Sequence, residues 1–372
     1  MKKIFIISII ILSVLFSNVT SNAAENSGYI NFKQINSYIP NQFWDVSESD
    51  WFYHYTKMVY EYGMMNGTDQ SHFNPYGNIT TAESIAIYSR LHHKYHSSDY
   101  MFETTHPWYQ TYVDYAANTG FILAEGVDIN SVITRADFSF LLSCAFDEKA
   151  LNPINQIEEG MIPDISPLSY YYNNVYSLYR AGILSGSDAY GTFAPNSHIN
   201  RSEVAAIISR MINPGLRTQF TPAAKPFYPV PIKQLANYSN LKKKLTDYQF
   251  EQAYNIAVQI VKPFASYSRE EQLICIANAL RQYFEDGMQY SMSSDNYNNV
   301  YGYFVDRSAS CSGCTRATGL CLNILGIPYE HVNENQYTHQ WCRVNVDGVY
   351  WICDAYGLYA GPEDAPYMHP YF

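Results

Sequence analysis

Three residues in the last quarter of the sequence have the side chains that nucleophilic catalysis needs: Cys311, His339 and Asp354. A thiolate can attack a carbonyl carbon, an imidazole can take up and return a proton, and a carboxylate can orient the imidazole and stabilise its charge. These residues could form a triad only if the helices and strands that contain them bring them together.

Cys311 begins a predicted helix that ends at the stop signal Gly326-Ile327-Pro328. Cys314 and Cys321 fall on the apolar face of this helix and are predicted to be small buried hydrophobic residues. Cys311 lies off that face at the helix N-terminus, where the macrodipole and the free N–H groups favour the nucleophilic thiolate. The same N–H groups are natural donors to an oxyanion. Cys311 is therefore the predicted nucleophile.

His339 and Asp354 flank a predicted hairpin whose turn is Asp347-Gly348. Centring the turn there pairs Cys342 with Cys353 and makes His339 and Asp354 diagonal neighbours on one face. Diagonal neighbours are about 7–8 Å apart at the backbone, which brings an imidazole and a carboxylate within hydrogen-bonding reach. The pattern predicts a Cys-His-Asp triad.

Three other interpretations of these residues stay open. Cys311-x-x-Cys314 could be half of a zinc site or a redox pair. Cys342 and Cys353 could form a disulfide if the protein is exported, although the odd total of seven cysteines leaves at least one thiol unpaired. His339 could be a core histidine with satisfied hydrogen bonds, but its position on one face with an acid favours catalysis.

Three segments in this region resemble the motifs of the transglutaminase-like superfamily, and the resemblance covers about residues 246–372. Residues 311–327 are similar to its Cys-x-Gly helix ending in Leu-Gly-Ile, residues 339–342 to its His-Ala-Trp-Asn strand, and residues 351–354 to its Trp-Tyr-x-Asp strand. Cys314 stands where an aromatic residue is usual, and Cys342 stands where an Asn is usual.

The resemblance implies an α+β papain-like fold and acyl transfer on amide bonds through a thioester intermediate. Water as the acceptor gives a peptidase or amidase, which we favour slightly, and a lysine amine gives a protein crosslink. Trp341 is assigned to substrate binding. The family's oxyanion side chain has no clear equivalent, and Tyr290, Tyr301 and Tyr303 are candidates. A non-catalytic, peptide-binding surface protein is the alternative. No calcium loop or metal cluster is visible, so we predict no metal and no cofactor.

The N-terminal half contains an internal repeat. From Asp45 and from Asp164 a glycine follows at +18 and another at +22, and each copy then has a Phe-x-Pro segment and a second helix. A more divergent middle copy contains Ile133-Thr134-Arg135-Ala136-Asp137. Each unit is predicted to be helix, loop, helix. The first helices end at Gly63, Gly120 and Gly182, and the second are capped by Thr80, Thr134 and Asn200.

These repeats resemble the S-layer homology domain in three copies over about residues 41–214. The resemblance implies an all-α three-unit bundle that binds the anionic secondary polysaccharide of a Gram-positive-type cell wall. It assigns glycan binding to Arg135, Arg201, Trp51 and Trp108. Thr81 stands at the Arg position of the first copy, and Tyr170 stands at the Trp position of the third copy. One or two of the three grooves are therefore expected to be inactive. Alternatively, the arginines only pair with helix-end carboxylates and the tryptophans only pack in the core.

The first residues predict export. Lys2 and Lys3 precede an apolar run, residues 4–16, and small residues follow at 21–23, which is typical of a signal peptide. The run is shorter than the about 20 residues of a membrane span. The net charge of −11 and the lack of a basic block argue against a nucleic-acid binder. A wall-bound extracellular protein is predicted, with no membrane association after signal cleavage.

The 372 residues predict a multidomain chain. Its expected parts are a signal peptide (1–23), three S-layer homology units (41–95, 100–150 and 158–214), a proline-rich linker (215–245) and a transglutaminase-like catalytic domain (246–372).

Overall fold

The structure is a computed structural model that describes residues 27–97, 102–121, 126–335 and 338–367. The predicted signal peptide lies outside the described residues. The described part contains an N-terminal helical region and a C-terminal region of helices with a small antiparallel sheet, and each has its own hydrophobic core. Among the described residues, no helix is long and apolar enough to cross a membrane.

In the described part, the N-terminal region consists of three successive helix–loop–helix units. The helices are α1 (Tyr53–Glu61), α2 (Thr81–His96), α3 (Gln110–Asn118), α4 (Arg135–Ser143), α5 (Tyr172–Arg180) and α6 (Arg201–Ile212). Short 3-10 helices lie at Ser27–Asn31, Glu148–Leu151 and Pro214–Leu216.

The predicted N-terminal caps of the second helices and the predicted glycines after the first helices are confirmed. The side chains of Thr80, Thr134 and Asn200 each accept the backbone N–H three residues later, which caps α2, α4 and α6. Gly63, Gly120 and Gly182 follow the first helices with φ of 66°, 90° and 72°. A left-handed residue lets the chain turn back at the end of a helix, and glycine adopts it without a Cβ penalty.

The three units join around the segments that precede their second helices. Isolated antiparallel bridges connect Asn78 with Asn200, Thr80 with Val132, and Thr134 with His198. Each unit therefore contacts both of the others. A single continuous core results, which is expected because two short helices cannot bury an apolar core alone.

The C-terminal region contains four helices and six short strands among the described residues. The helices are α7 (Tyr238–Lys242), α8 (Asp247–Val261), α9 (Arg269–Glu285) and α10 (Cys311–Ile324). The strands are β1 (Gln289–Tyr290), β2 (Ser308–Ala309), β3 (Glu330–Val332), β4 (Trp341–Val346), β5 (Val349–Asp354) and β6 (Tyr359–Pro362). Short helical turns lie at Ile232–Gln234, Lys262–Phe264 and Gly302–Asp306.

The sheet that carries the site is antiparallel, with the strand order β3-β4-β5-β6. The predicted hairpin register is confirmed: Cys342 pairs with Cys353, and Val346 pairs with Val349 across the Asp347-Gly348 turn. Helix α10 is buried along its whole length and packs between α8, α9 and this sheet.

The proline-rich segment is hydrogen-bonded to both of the regions that it joins. Its first half hydrogen-bonds to the helical region, from Thr218 N to Gly182 O at 2.8 Å, and its second half to α10, from Val230 N to Ile324 O at 3.0 Å. Leu235, Leu241 and Leu245 are buried in the C-terminal core. That core therefore begins before the predicted boundary at residue 246. Proline spacing constrains the backbone, but it does not show which leucines are buried in a core.

Candidate functional site

Cys311 is the first residue of the buried helix α10, as predicted. Ser310 precedes it with an extended backbone, and its N–H donates to Tyr297 O at 2.7 Å. The glycine of the Cys-x-Gly motif is required by this contact, because a Cβ on Gly313 would lie 2.5 Å from the same Tyr297 oxygen. The thiol therefore sits where the helix N–H groups favour negative charge.

His339 and Asp354 come together as the hairpin register predicts. His339 lies two residues before β4 and Asp354 ends β5, and their exposed fractions are only 4% and 3%. His339 Nε2 contacts Asp354 Oδ2. The other carboxylate oxygen, Oδ1, accepts the N–H groups of Tyr356 and Gly357 at 3.0 and 3.1 Å. The carboxylate is thus held on both oxygens.

His339 also makes a side-chain hydrogen bond with Cys311, which completes the Cys-His-Asp arrangement. Burial by itself would lower the pKa of His339, but the hydrogen bonds and negative charges of Asp354 and Cys311 outweigh it and raise the pKa to about 9. A protonated imidazole beside the thiol is the condition under which a cysteine is nucleophilic at neutral pH.

Aromatic rings surround these groups. Trp341 stacks beside His339 with the ring centroids 6.2 Å apart, and Tyr356 lies on the same imidazole at 6.0 Å. Tyr290 packs against Tyr356 at 5.3 Å. Trp341 therefore lies beside the imidazole of His339, and its role in substrate binding stays a prediction.

The three oxyanion candidates differ in their surroundings, and Tyr301 packs partly buried against the C-terminal core. Tyr290 makes hydrogen-bonding contact with both the thiol and the backbone of Cys311. Burial and then the negative charge and hydrogen bond of Cys311 raise the pKa of Tyr290 to about 12, so its hydroxyl is a neutral donor at physiological pH. Tyr303 instead donates to Leu280 O inside the core.

The other cysteines near the site are core residues. Cys314, Cys321, Cys342 and Cys353 are each at most 1% exposed, and burial raises their pKa values. Cys342 and Cys353 face each other across the strands as free thiols, so the disulfide alternative is not realised in the structure. Within the described ranges, no group of three His, Cys, Asp or Glu side chains could hold a metal ion.

One residue of the site had no signal in the sequence. Tyr367, in the segment after β6, donates its hydroxyl to Asp354 Oδ2 at 2.6 Å. The motifs of the region end at Asp354, and neither periodicity nor spacing connects the two residues.

In the helical region, the predicted glycan residues meet in pairs that combine different units. Trp108 of the second unit and Arg201 of the third line a groove of about 360 Å³. Trp51 of the first unit and Arg135 of the second line a groove of about 200 Å³. Trp51 and Trp108 are 59% and 49% exposed, so the alternative that they pack in the core is wrong.

The two motif arginines are held by the protein itself. Arg201 donates to Phe73 O at 2.7 Å and pairs with Glu83 at 3.1 Å, and Arg135 donates to Phe193 O at 2.8 Å and pairs with Glu203 at 3.3 Å. These contacts agree with the alternative prediction that the two arginines pair with carboxylates at helix ends. Arg90 and Arg210 are not among the predicted glycan-binding residues. They line the first and the second groove respectively.

The third equivalent position lacks these side chains. Thr81 stands where the other units have Arg135 and Arg201, Tyr170 stands at the tryptophan position, and Cys144 is equivalent to Arg90 and Arg210. Tyr170 donates its hydroxyl to Asp137. The repeat thus presents two tryptophan–arginine grooves and one position without either residue.

A family model for the S-layer homology domain matches residues 162–205. These residues form an S-layer homology domain. The match contains α5, the Phe193 segment and the start of α6 with Arg201. S-layer homology domains bind secondary cell-wall polysaccharides, so the domain indicates a cell-surface, S-layer-associated protein. No curated protein matches the chain.

Proposed function

We propose that the chain is a wall-anchored thiol enzyme that acts on amide bonds through Cys311, His339 and Asp354, with hydrolysis as its reaction. The observation that carries this proposal is the contact of buried His339 with both Asp354 and Cys311. A thiol, an imidazole and a carboxylate in this order are the groups that acyl transfer through a thioester requires.

The reaction follows from these positions. The Cys311 thiolate attacks the amide carbonyl carbon, a C–S bond forms, and the carbonyl π electrons move to oxygen. The Cys311 N–H and the Tyr290 hydroxyl donate to this oxyanion. Protonated His339 gives its proton to the leaving amine as the C–N bond breaks. Neutral His339 then takes a proton from water, which attacks the thioester and releases the acid and the thiol.

Anchoring is assigned to residues 41–214 as three S-layer homology units, of which two have complete grooves. Exposed Trp51 and Trp108 offer faces on which sugar rings can stack. The motif arginines have their charge balanced by Glu83 and Glu203.

The net positive charge for an anionic glycan comes instead from Arg90 and Arg210. In the described residues neither is within ion-pair distance of a carboxylate, and each donates to a neutral carbonyl, Met64 O at 3.1 Å and Ile183 O at 3.0 Å. A guanidinium with an uncompensated charge suits an anionic ligand.

The reactivity of Cys311 tests the enzyme proposal. The mature chain is alkylated with iodoacetamide between pH 5 and 9, and each cysteine is quantified by mass spectrometry. The exposed Cys144 is an internal reference for an ordinary thiol. We expect Cys311 to react faster than Cys144 at pH 6 although it is buried, and His339→Ala to abolish that excess. Slower reaction of Cys311 than of Cys144 at pH 6 contradicts the proposal.

A second candidate function has one observation in its favour. Cys311 is only 9% exposed. A nucleophile closed off from substrate would make the C-terminal region a non-catalytic peptide-binding module. The same alkylation experiment separates the two candidates. A fluorescent primary amine added to an active preparation then distinguishes hydrolysis from crosslinking, because only crosslinking incorporates the amine into protein.

A further inference from the structure

The Asp354 carboxylate has two side-chain donors on one oxygen. Oδ2 contacts His339 Nε2 and also accepts the Tyr367 hydroxyl at 2.6 Å. Oδ1 is occupied by two backbone N–H groups, so the carboxylate cannot rotate to offer a different oxygen to either side chain. His339 and Tyr367 therefore both hydrogen-bond to the same carboxylate oxygen.

The position of Tyr367 is held by its own contacts. Its ring stacks on Tyr359 of β6, with centroids 4.2 Å apart and planes within 10°. Gly357 leaves the space for the hydroxyl, since a Cβ there would lie 1.8 Å from it. Burial and then the negative charge of Asp354 raise the pKa of Tyr367, which keeps it a neutral donor.

We propose that Tyr367 is a positioning residue for the His339–Asp354 pair: its hydroxyl shares the carboxylate oxygen that holds the imidazole and thereby limits the basicity of His339. A carboxylate that already accepts one strong hydrogen bond attracts a second donor less strongly. This role rests on the proposed function, because it concerns the base of that triad. It adds a residue outside the three motifs and couples the C-terminal segment to catalysis.

Limiting the basicity of His339 has a chemical purpose. Thioester hydrolysis requires neutral His339 to take a proton from water, whereas thiol activation requires the protonated form. An imidazole that is too basic stays protonated and slows hydrolysis at neutral pH. The Tyr367 hydrogen bond offsets part of the effect of Asp354 and so favours turnover at lower pH.

Other ionisable groups face the pair and are unchanged by a substitution at Tyr367. They are Cys311 and Cys314 on α10, Arg281 on α9, Tyr290 on β1, Cys342 on β4, Cys353 on β5 and Tyr356. Burial raises the pKa values of Cys314, Cys342 and Cys353, so these thiols are neutral where His339 titrates. A pH shift in the Tyr367 variant is therefore attributable to the hydroxyl.

The test compares Tyr367→Phe with Tyr359→Phe in the full mature chain. Tyr359 is a matched control, because its hydroxyl donates to Pro362 O at 2.9 Å and does not reach Asp354. Hydrolysis of p-nitrophenyl acetate is followed from pH 5 to 9. We expect Tyr367→Phe to move the acid limb of turnover up by about half a pH unit, the size of a modest hydrogen bond. Tyr359→Phe should match the wild type.

A second measurement does not depend on activity. In a Cys311→Ser background, the His339 ring is titrated by NMR with labelled histidine. Tyr367→Phe should raise the pKa of His339 relative to the same background with Tyr367 intact. An unchanged or lower pKa, or a turnover profile that coincides with the wild type, overturns the role of Tyr367. Failure of the proposed function gives a different result, namely ordinary reactivity of Cys311 in the wild type. In that case both the thiol-enzyme proposal and the role of Tyr367 are wrong.

Discussion

The Arg316 guanidinium donates to Glu334 Oε1 at 2.8 Å and connects α10, which begins at Cys311, with the segment that follows β3. Arg316 lies in α10 and is 2% exposed. Its Nε and Nη1 groups donate to the carbonyl oxygens of Asn240, Asn298 and Ser312, and Nη1 also donates to Ser312 Oγ. The backbone carbonyl oxygen of Glu334 in turn accepts a hydrogen bond from Gln340 Nε2 at 3.2 Å, and Gln340 is the residue after His339. One buried cation thus joins the elements that carry the thiol and the imidazole.

Replacing Arg316 by Met should destabilise the C-terminal region. The three carbonyl oxygens would lose their buried donor, and we expect the free energy of unfolding to fall by about 2–4 kcal/mol. Hydrogen exchange of α10 measures this. Glu334→Gln is the matched control and should cost less than about 1 kcal/mol, because Glu334 is 37% exposed and the amide keeps an acceptor. Equal, small effects of the two variants would show that Arg316 does not carry this connection.

Stability of the C-terminal region should depend on pH through His339. Its pKa of about 9 in the folded state exceeds the usual value near 6.5, so the folded protein binds this proton more tightly. The stabilisation is fully present below about pH 6.5 and is lost as pH rises through about 9. We expect the stability difference between wild type and His339→Gln to shrink from pH 6 to pH 9.5, measured by hydrogen exchange. The exposed His54→Gln serves as control, and a difference that grows with pH would contradict the assignment.

Tyr290→Phe should impair acylation much more than it changes the reactivity of the thiol, which loses only its hydrogen bond with Tyr290. Alkylation by iodoacetamide forms no oxyanion, whereas acylation by p-nitrophenyl acetate does. Loss of one oxyanion donor costs about 10²–10³-fold in rate. We therefore expect the acylation rate of Cys311 to fall by a factor in that range, while its alkylation rate changes by less than about tenfold, the size of one hydrogen bond to the thiol. Tyr301→Phe, which keeps Tyr290 intact, should behave like the wild type. A parallel loss of both rates in Tyr290→Phe would point to damaged geometry instead.

The two tryptophan grooves should each contribute to wall binding. Trp51→Ala and Trp108→Ala remove exposed rings, so folding should be little affected. Each should weaken binding to purified cell-wall polysaccharide by about tenfold, the size of one good ring contact, and the double variant should bind weakest. Calorimetric titration measures the affinities. Tyr170→Phe, at the position without a groove arginine, is the control and should bind as the wild type does. Unchanged affinity in the double variant would exclude these grooves as the binding site.

Several features could be predicted because their causes are local in the sequence. The Asp347-Gly348 turn determines the strand register, and the register brings His339 to Asp354. A cap at Thr80 needs only the residues up to Glu83. The glycines at 63 and 120 likewise predicted where the first helices of two units end. Turns, caps and repeats act over a few residues, and the types of those residues carry the information.

The tertiary structure alone decided which distant residues complete the sites. The sequence determined the Cys-His-Asp candidates and the repeated units. It could not show that Tyr367 reaches Asp354, that Tyr290 reaches Cys311, or that Trp108 shares a groove with Arg201 of another unit. Such contacts depend on how whole elements pack, and packing is determined by the combined burial of many side chains and not by the spacing of any two.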